Sequence, residues 1–389
     1  MSNTFKFVGQ IKKLEEKGNK KYIETIKLQS GWMIKRVKFR MVCGDTSEIL
    51  DLSSGKWQDD SKNVVYTVAL KQGATAPKDV EQVQIEWKDR MDPDIVAKIP
   101  SYKRYSIDMS SNKIRKKMSE DKSVTEAETD KAEGAKSVYI SQYDFVQKFE
   151  ELLLSDAFGN DNYVVSGNVE YTYSQDKDGE GKYYRNFVPT SIYKASDEDV
   201  AGAYGKLDFY FLTTEGEGVS VDCGDTVYSG YLKFYERMSK KNYYTPLSIR
   251  IKAGSSKEDG LKKVFATSSN LDGDVALIGI NVAFFDGAPI VKITYEDLDS
   301  DQRWLIDLGV KTLEETISEY AGMVGERVNY VYVAGIARGC SVPTLAEVTE
   351  EELNAKPDTE DKKNSQQTTS VTAKSNMSTN IFDLDDDDI

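Results

Sequence analysis

The chain has 389 residues, 39% of them hydrophobic and 30% charged, with a formal net charge of −14, which suffices for two or three domains of roughly 100–200 residues each. It contains no histidine, and this excludes Ser-His-Asp and Cys-His catalysis, His-ligated zinc and a histidine pH switch. Cys43, Cys223 and Cys340 lie too far apart in sequence for a CxxC metal knuckle or a dense disulfide framework.

The N-terminal stretch MSNTFKFVGQIKK alternates and carries charge, without the apolar run of a secretion signal. Phe5–Ile11 reads as a strand, as does Tyr22–Leu52 with breaks at Ser30-Gly31 and Gly44-Asp45. Val64–Leu70 and Val80–Trp87 are further β-branched runs bounded by Gly, Pro or Asp. About five short strands within 1–100 predict a small Greek-key barrel. Residues 101–136 turn basic and then acidic, lose aromatic residues after Tyr105, and predict a flexible linker.

Gln142–Leu154 predicts a helix, with Phe145, Phe149 and Leu152 on one stripe. Strand patterns resume at Tyr163–Tyr173, Tyr183–Tyr193, Leu207–Leu212, Val219–Cys223, Tyr228–Tyr235, Leu247–Lys252, Val275–Phe285 and Ile290–Tyr295. A helix is expected from Ser300 through Tyr320, then a closing strand at Val328–Ile336. Residues 137–345 thus predict a second, larger β-rich module with peripheral helices. The longest apolar run, Val275–Phe285, is too short to span a bilayer. Val8-Gly9-Gln10-Ile11 is echoed by Ser166-Gly167-Asn168-Val169, and Cys43-Gly44-Asp45-Thr46 recurs verbatim as Cys223-Gly224-Asp225-Thr226, hinting at an internal duplication.

Charge is unevenly spread. Residues 1–41 hold eleven lysines and arginines against three glutamates, whereas residues 347–389 hold twelve acids against four lysines. A basic head and an acidic tail suit a polyanion-binding surface and a mobile competitor for it. Residues 346–389 are expected to be disordered, because their Ser, Thr, Gln and Glu cannot offset the entropy of ordering. They end in Phe382-Asp383-Leu384-Asp385-Asp386-Asp387-Asp388-Ile389, apolar residues set among carboxylates, which reads as a docking tip.

The strongest site signal is the run Trp32–Cys43. Side chains alternate faces along a strand. Met33, Val37, Phe39, Met41 and Cys43 fall on a core face, interrupted by Lys35, while Trp32, Arg36, Lys38 and Arg40 share the other. A flat ring beside cations is what a single-strand groove needs: the cations track phosphates and the ring stacks on any base. Tyr231, Lys233, Tyr235 and Arg237 repeat the pattern, as do Tyr183, Arg185 and Phe187. Asp176-Lys-Asp178-Gly-Glu180 resembles the start of an EF-hand loop, but Phe187 stands at the bidentate position and strands flank it, so a hairpin loop is expected. No acid/base pair stands out by spacing, and no enzyme, metal or cofactor is expected.

The segments FKFVGQI, SGWMIKRVKFRMVCGD and DLDDDDI together resemble phage-encoded single-stranded DNA-binding proteins built on OB folds, most clearly over residues 1–95 and at the C-terminal end. The resemblance implies a mainly β protein with a few helices: an N-terminal OB barrel, a second OB-like barrel within the larger module, and an acidic tip that docks replication or recombination proteins. Many such tips end in an aromatic residue, whereas Phe382 lies upstream of Ile389 here. The expected function is sequence-independent single-stranded DNA binding in the cytoplasm of a bacterial host, with no membrane partner. The alternatives are a virion structural or assembly protein and an acidic protein-interaction module.

Overall fold

The computed structural model describes residues 3–16, 21–71, 73, 79–110, 112–119, 125–175, 181–214, 218–236, 239–287, 295, 298, 300–313, 316, 328–340 and 342–357. Its first half supplies strands β1 (Thr4–Lys13), β2 (Ile23–Lys27), β3 (Trp32–Cys43), β4 (Thr46–Trp57), β5 (Val64–Leu70) and β6 (Val80–Glu86). Helix α1 (Pro93–Lys98), β7 (Tyr105–Asp108), α2 (Asn112–Ser119), α3 (Glu126–Ala135), β8 (Lys136–Tyr139), α4 (Gln142–Leu154), β9 (Asn162–Gln175) and β10 (Gly181–Lys194) follow. The second half supplies β11 (Gly202–Leu212), β12 (Val219–Asp222), β13 (Asp225–Glu236), β14 (Lys241–Ile251), α5 (Glu258–Ala266), β15 (Val275–Gly287), α6 (Ser300–Asp307), β16 (Val328–Ile336), β17 (Thr344–Leu345) and α7 (Glu350–Asn354).

The second half closes a five-stranded barrel. β11 pairs antiparallel with β13 and β15, β13 with β14, and β15 with β16, while β14 and β16 complete the circle in parallel. In chain order this is first–second–third–fifth–fourth, with α5 between the third and fourth strands: the OB arrangement. Helix α5 turns Leu261 and Phe265 into the barrel, where Phe265 stacks on Tyr228 at 4.5 Å.

The same strand order recurs in the first half with β1, β3, β4, β9 and β10, although among the described residues no ladder joins β4 to β10. β1 pairs antiparallel with β3 and β9, β3 with β4, and β9 with β10. Helix α4 precedes the fourth strand and sets Phe149 4.5 Å from Phe39 of the second strand. Strand β1 bends from β9 onto β3 at Gly9, where a Cβ would run into the Val42 carbonyl. In barrel 2 the glycine stands on the opposing strand: a Cβ at Gly230 would run into the Tyr210 carbonyl. β1 also pairs antiparallel with β11, so the two barrels share one sheet and a continuous core.

Several expectations are corrected. The segments expected as separate modules interleave, because β9 and β10 belong to barrel 1. Residues 101–136 are not only a linker: β7 pairs in parallel with β10, burying Ile107, so the fifth strand of barrel 1 takes an added strand as its parallel neighbour where β16 takes barrel 2's own third strand, β14. Four alternating residues are too short a pattern to read alone. The helix expected to run to Tyr320 is broken after Asp307, because Gly309 takes a left-handed φ of 69° and its N–H bonds back to the Ile306 carbonyl; Leu313 and Thr316 are helical again, and 314–315 and 317–320 lie outside the described residues. Residues 346–357 are ordered, with a Thr349/Glu352 capping box opening α7. The duplication is one of topology, but its short echoes are out of register. Ser166–Val169 lies in the fourth strand of barrel 1. Cys43–Thr46 joins strands two and three of barrel 1 and turns at Gly44-Asp45, whereas Cys223–Thr226 joins β12 to β13 and turns at Cys223-Gly224.

Candidate nucleic-acid interface

In OB barrels the outer face of strands two and three, with the adjoining loops, is where oligonucleotides bind. In barrel 1 that face is β3 and β4, extended by β2. The predicted alternation of β3 holds from Val37 onward: Val37, Phe39, Met41 and Cys43 are fully buried, while Trp32, Ile34, Arg36, Lys38, Arg40 and Val42 form a partly buried outer face, with the Arg36 and Lys38 side chains 14% and 16% exposed. Met33 instead packs on a satellite cluster around Trp87, Ile99 and Tyr143.

Trp32 stands directly opposite Trp57 of β4, their rings edge to face at 5.2 Å. The Trp32 ring lies flat over Gly55, where an added Cβ would sit 2.6 Å from three ring atoms. The β2–β3 turn holds this end of the strand. Gly31 adopts φ 86°, and the Leu28 N–H donates to the Trp32 carbonyl at 2.8 Å.

The cations are less free than the sequence suggested. Asp51 of β4 lies opposite Lys38, 3.6 Å from its Nζ and 3.7 Å from Arg36 Nε, and Glu24 of β2 is 3.5 Å from Arg36 Nη1. Burial pushes the Asp51 carboxyl above its ordinary range, opposed by Lys38 and Arg36. Arg40 faces Lys12 of β1 across the ladder, and Lys12 Nζ donates to Asn160 Oδ1 at 2.8 Å. The face thus sets Arg36, Lys38, Arg40 and Lys12 against two carboxylates beside an aromatic pair. Trp57, Lys12 and the two acids were not singled out for this face from sequence. Trp57 was findable, because a hairpin turning at Gly44-Asp45 puts it opposite Trp32.

Lys35 belongs elsewhere. It points beneath α4 and ion-pairs with Glu150, as its place on the core side of the alternation requires. Tyr183, Arg185 and Phe187 do not form an open face. Phe187 is 4% exposed and packs 4.7 Å from Phe7 and 5.1 Å from Phe284. Arg185 lies 5.0 Å over both Phe187 and Phe284, with Nη2 donating to Asn329 Oδ1 at 2.9 Å and the buried Glu48 carboxylate 3.9 Å away. Tyr183 meets Tyr173 at 4.9 Å and Phe234 of β13 at 5.8 Å. This face of β10 is covered while Tyr184 on the other is exposed, so the alternation here marks contacts between barrels rather than the solvent face.

In barrel 2, Tyr231, Lys233 and Tyr235 do share the outer face of β13, with Lys233 and Tyr235 exposed. Across the ladder, Tyr210 faces Tyr231 and Tyr244 faces Lys233. Arg237 and the tip Phe382, Asp383, Leu384, Asp385, Asp386, Asp387, Asp388 and Ile389 lie outside the described residues. Among the described residues no helix is long and apolar enough to cross a membrane.

No protein-family model matches the chain, and no curated protein does. Among solved structures, a deletion mutant of the single-stranded DNA binding protein from Thermus aquaticus aligns over 90% of this chain and 98% of its own, at 8% sequence identity and a TM-score of 0.32. A likeness this slight assigns no function.

Proposed function

We propose that this protein is a non-enzymatic, sequence-independent single-stranded DNA-binding protein whose primary contact is the β3–β4 face of barrel 1. The observation that carries this reading is the juxtaposition of Trp32 and Trp57 with Arg36, Lys38 and Arg40 on the outer face of strands two and three. Phosphates would displace Asp51 and Glu24 from Arg36 and Lys38, and the indole rings would stack on bases without reading them. The biological setting we propose is phage DNA replication or recombination in the cytoplasm of a bacterial host. There the protein covers exposed strands and recruits replication or recombination proteins through Phe382–Ile389.

The test is a titration of a labelled unstructured oligonucleotide and its duplex across a range of salt concentrations. Tight single-strand binding, weak duplex binding and a log–log salt slope near −2 are expected, at about −0.7 for each of three neutralised phosphates. Trp32→Ala is expected to cost about 1–3 kcal/mol of affinity. Equal affinity for duplex and single strand would overturn the proposal.

A further inference from the structure

The two barrels differ at one topological place. Where Lys12 faces Arg40 in barrel 1, Tyr210 faces Tyr231 in barrel 2, and the chain's own Thr344–Ala355 lies over that tyrosine face. Strand β17 adds to β15 through two residue pairs. Beyond it, Leu353 of α7 is buried against Tyr244 and Val275, with Tyr210, Leu212 and Tyr231 packed around it. Tyr231 Oη donates to Asn354 Oδ1 at 3.1 Å.

We infer that barrel 2 carries a second single-strand-binding face, built from Tyr210, Tyr231, Lys233, Tyr235 and Tyr244, which Thr344–Ala355 covers until DNA displaces it. The inference rests on the proposed function of barrel 1 and extends it to a distinct surface. Three observations support a displaceable cover rather than a fixed part of the fold. A five-residue helix has no stability of its own and persists only while docked. The attachment is short: Leu353 is its one fully buried side chain, Ala346 and Val348 are only partly buried against the same cluster, and Leu345 of β17 is 51% exposed. The cover also carries Glu347, Glu350, Glu351 and Glu352, all exposed, so it adds negative charge beside this face and is repelled by a bound strand's phosphates. Beneath it Tyr210 and Tyr244 meet edge to face at 5.2 Å, rings on which bases can stack without reading sequence.

The test uses the full chain. Leu353→Asp removes the anchor and is expected to raise affinity for a long unstructured oligonucleotide about fivefold or more, the gain from stacking even one further base, and to enlarge the number of nucleotides occluded per protein. Adding Lys233→Ser and Tyr235→Ala is expected to erase that gain, while Trp32→Ala still weakens binding. Hydrogen–deuterium exchange on the unaltered protein gives an independent reading should Leu353→Asp fail to fold: amides of Leu353–Ala355 are expected to lose protection when the long oligonucleotide is added. Unchanged affinity and site size in a folded Leu353→Asp, or unchanged protection in the unaltered protein, with Trp32→Ala still impaired, would overturn the second face and leave barrel 1 standing. If Trp32→Ala is also without effect, the reading of barrel 1 has failed instead.

Discussion

Barrel 1 and barrel 2 follow one strand order, yet their outer faces have opposite fates. In barrel 1 the strand-two cations Arg36, Lys38 and Arg40 lie partly buried on the face that carries Trp32, Arg36 and Lys38 held by Asp51 and Glu24. In barrel 2 the outward residues of strand two up to its strand-one pairing are Val227, Ser229 and Tyr231, and an acidic segment lies over part of the surface. The fold therefore dictates where a groove can be, and the outward positions of strand two decide what it can hold. An aromatic face without a row of cations has a weaker claim on a polyanion and can be covered by carboxylates, whereas a cationic row needs only side chains on neighbouring strands to keep it paired.

The largest expected effect asks whether the barrels are separable at all. Phe39→Ala in barrel 1 and Phe209→Ala in barrel 2 each remove a fully buried ring from one continuous core and are expected to cost about 3–5 kcal/mol. Because β1 pairs with both β9 and β11, each substitution should shift one shared unfolding transition in denaturant. Two resolved transitions, only one of them moved, would mean that the barrels fold independently.

A smaller effect sharpens the equivalence of the strand-one crossings. Gly9→Ala and Gly230→Ala both press a methyl group on a backbone carbonyl and are each expected to cost about 1–3 kcal/mol. Thermal melts that spare either variant would show that its crossing is looser than drawn.

The smallest effect isolates the paired cations. The Asp51 carboxyl titrates above its ordinary range in the folded protein. The native state therefore keeps this proton where the unfolded chain has lost it, and Asp51 contributes a stability that falls as pH rises through the window above the ordinary carboxylate value. Asp51→Asn should flatten that part of the pH–stability profile. It should also raise single-strand affinity about twofold, the scale of one partly exposed ion pair, with the gain shrinking as acidification neutralises Asp51 in the parent. A lower affinity would mean that Asp51 orients Arg36 and Lys38 for binding rather than competing for them.

How much of this was legible depended on what lay across each strand. The β3 site could be read because its inward residues are apolar and its outward ones cationic, so alternation alone sorts the faces. The same rule misplaced Tyr183, Arg185 and Phe187, since the outward face of β10 meets Phe284 and Phe234, residues distant in sequence. The second OB-like barrel was expected from the resemblance, but its partition of the chain was not: β9 and β10 return to barrel 1 after an insertion of about a hundred residues between β4 and β9. Composition obscured α7, although Thr349, Glu352 and Leu353 spell a capped, anchored turn within an otherwise polar segment.

The central claim, that barrel 1 presents Trp32 and Trp57 to single-stranded DNA, is tested most directly by tryptophan fluorescence in a Trp304→Phe background, where the buried Trp87 contributes a constant signal. Addition of an unstructured oligonucleotide should quench the emission to saturation, the quenching should fall in Trp32→Ala, and the duplex should leave it unchanged at the same concentration. Equal quenching by duplex, or none by the single strand, would contradict the account.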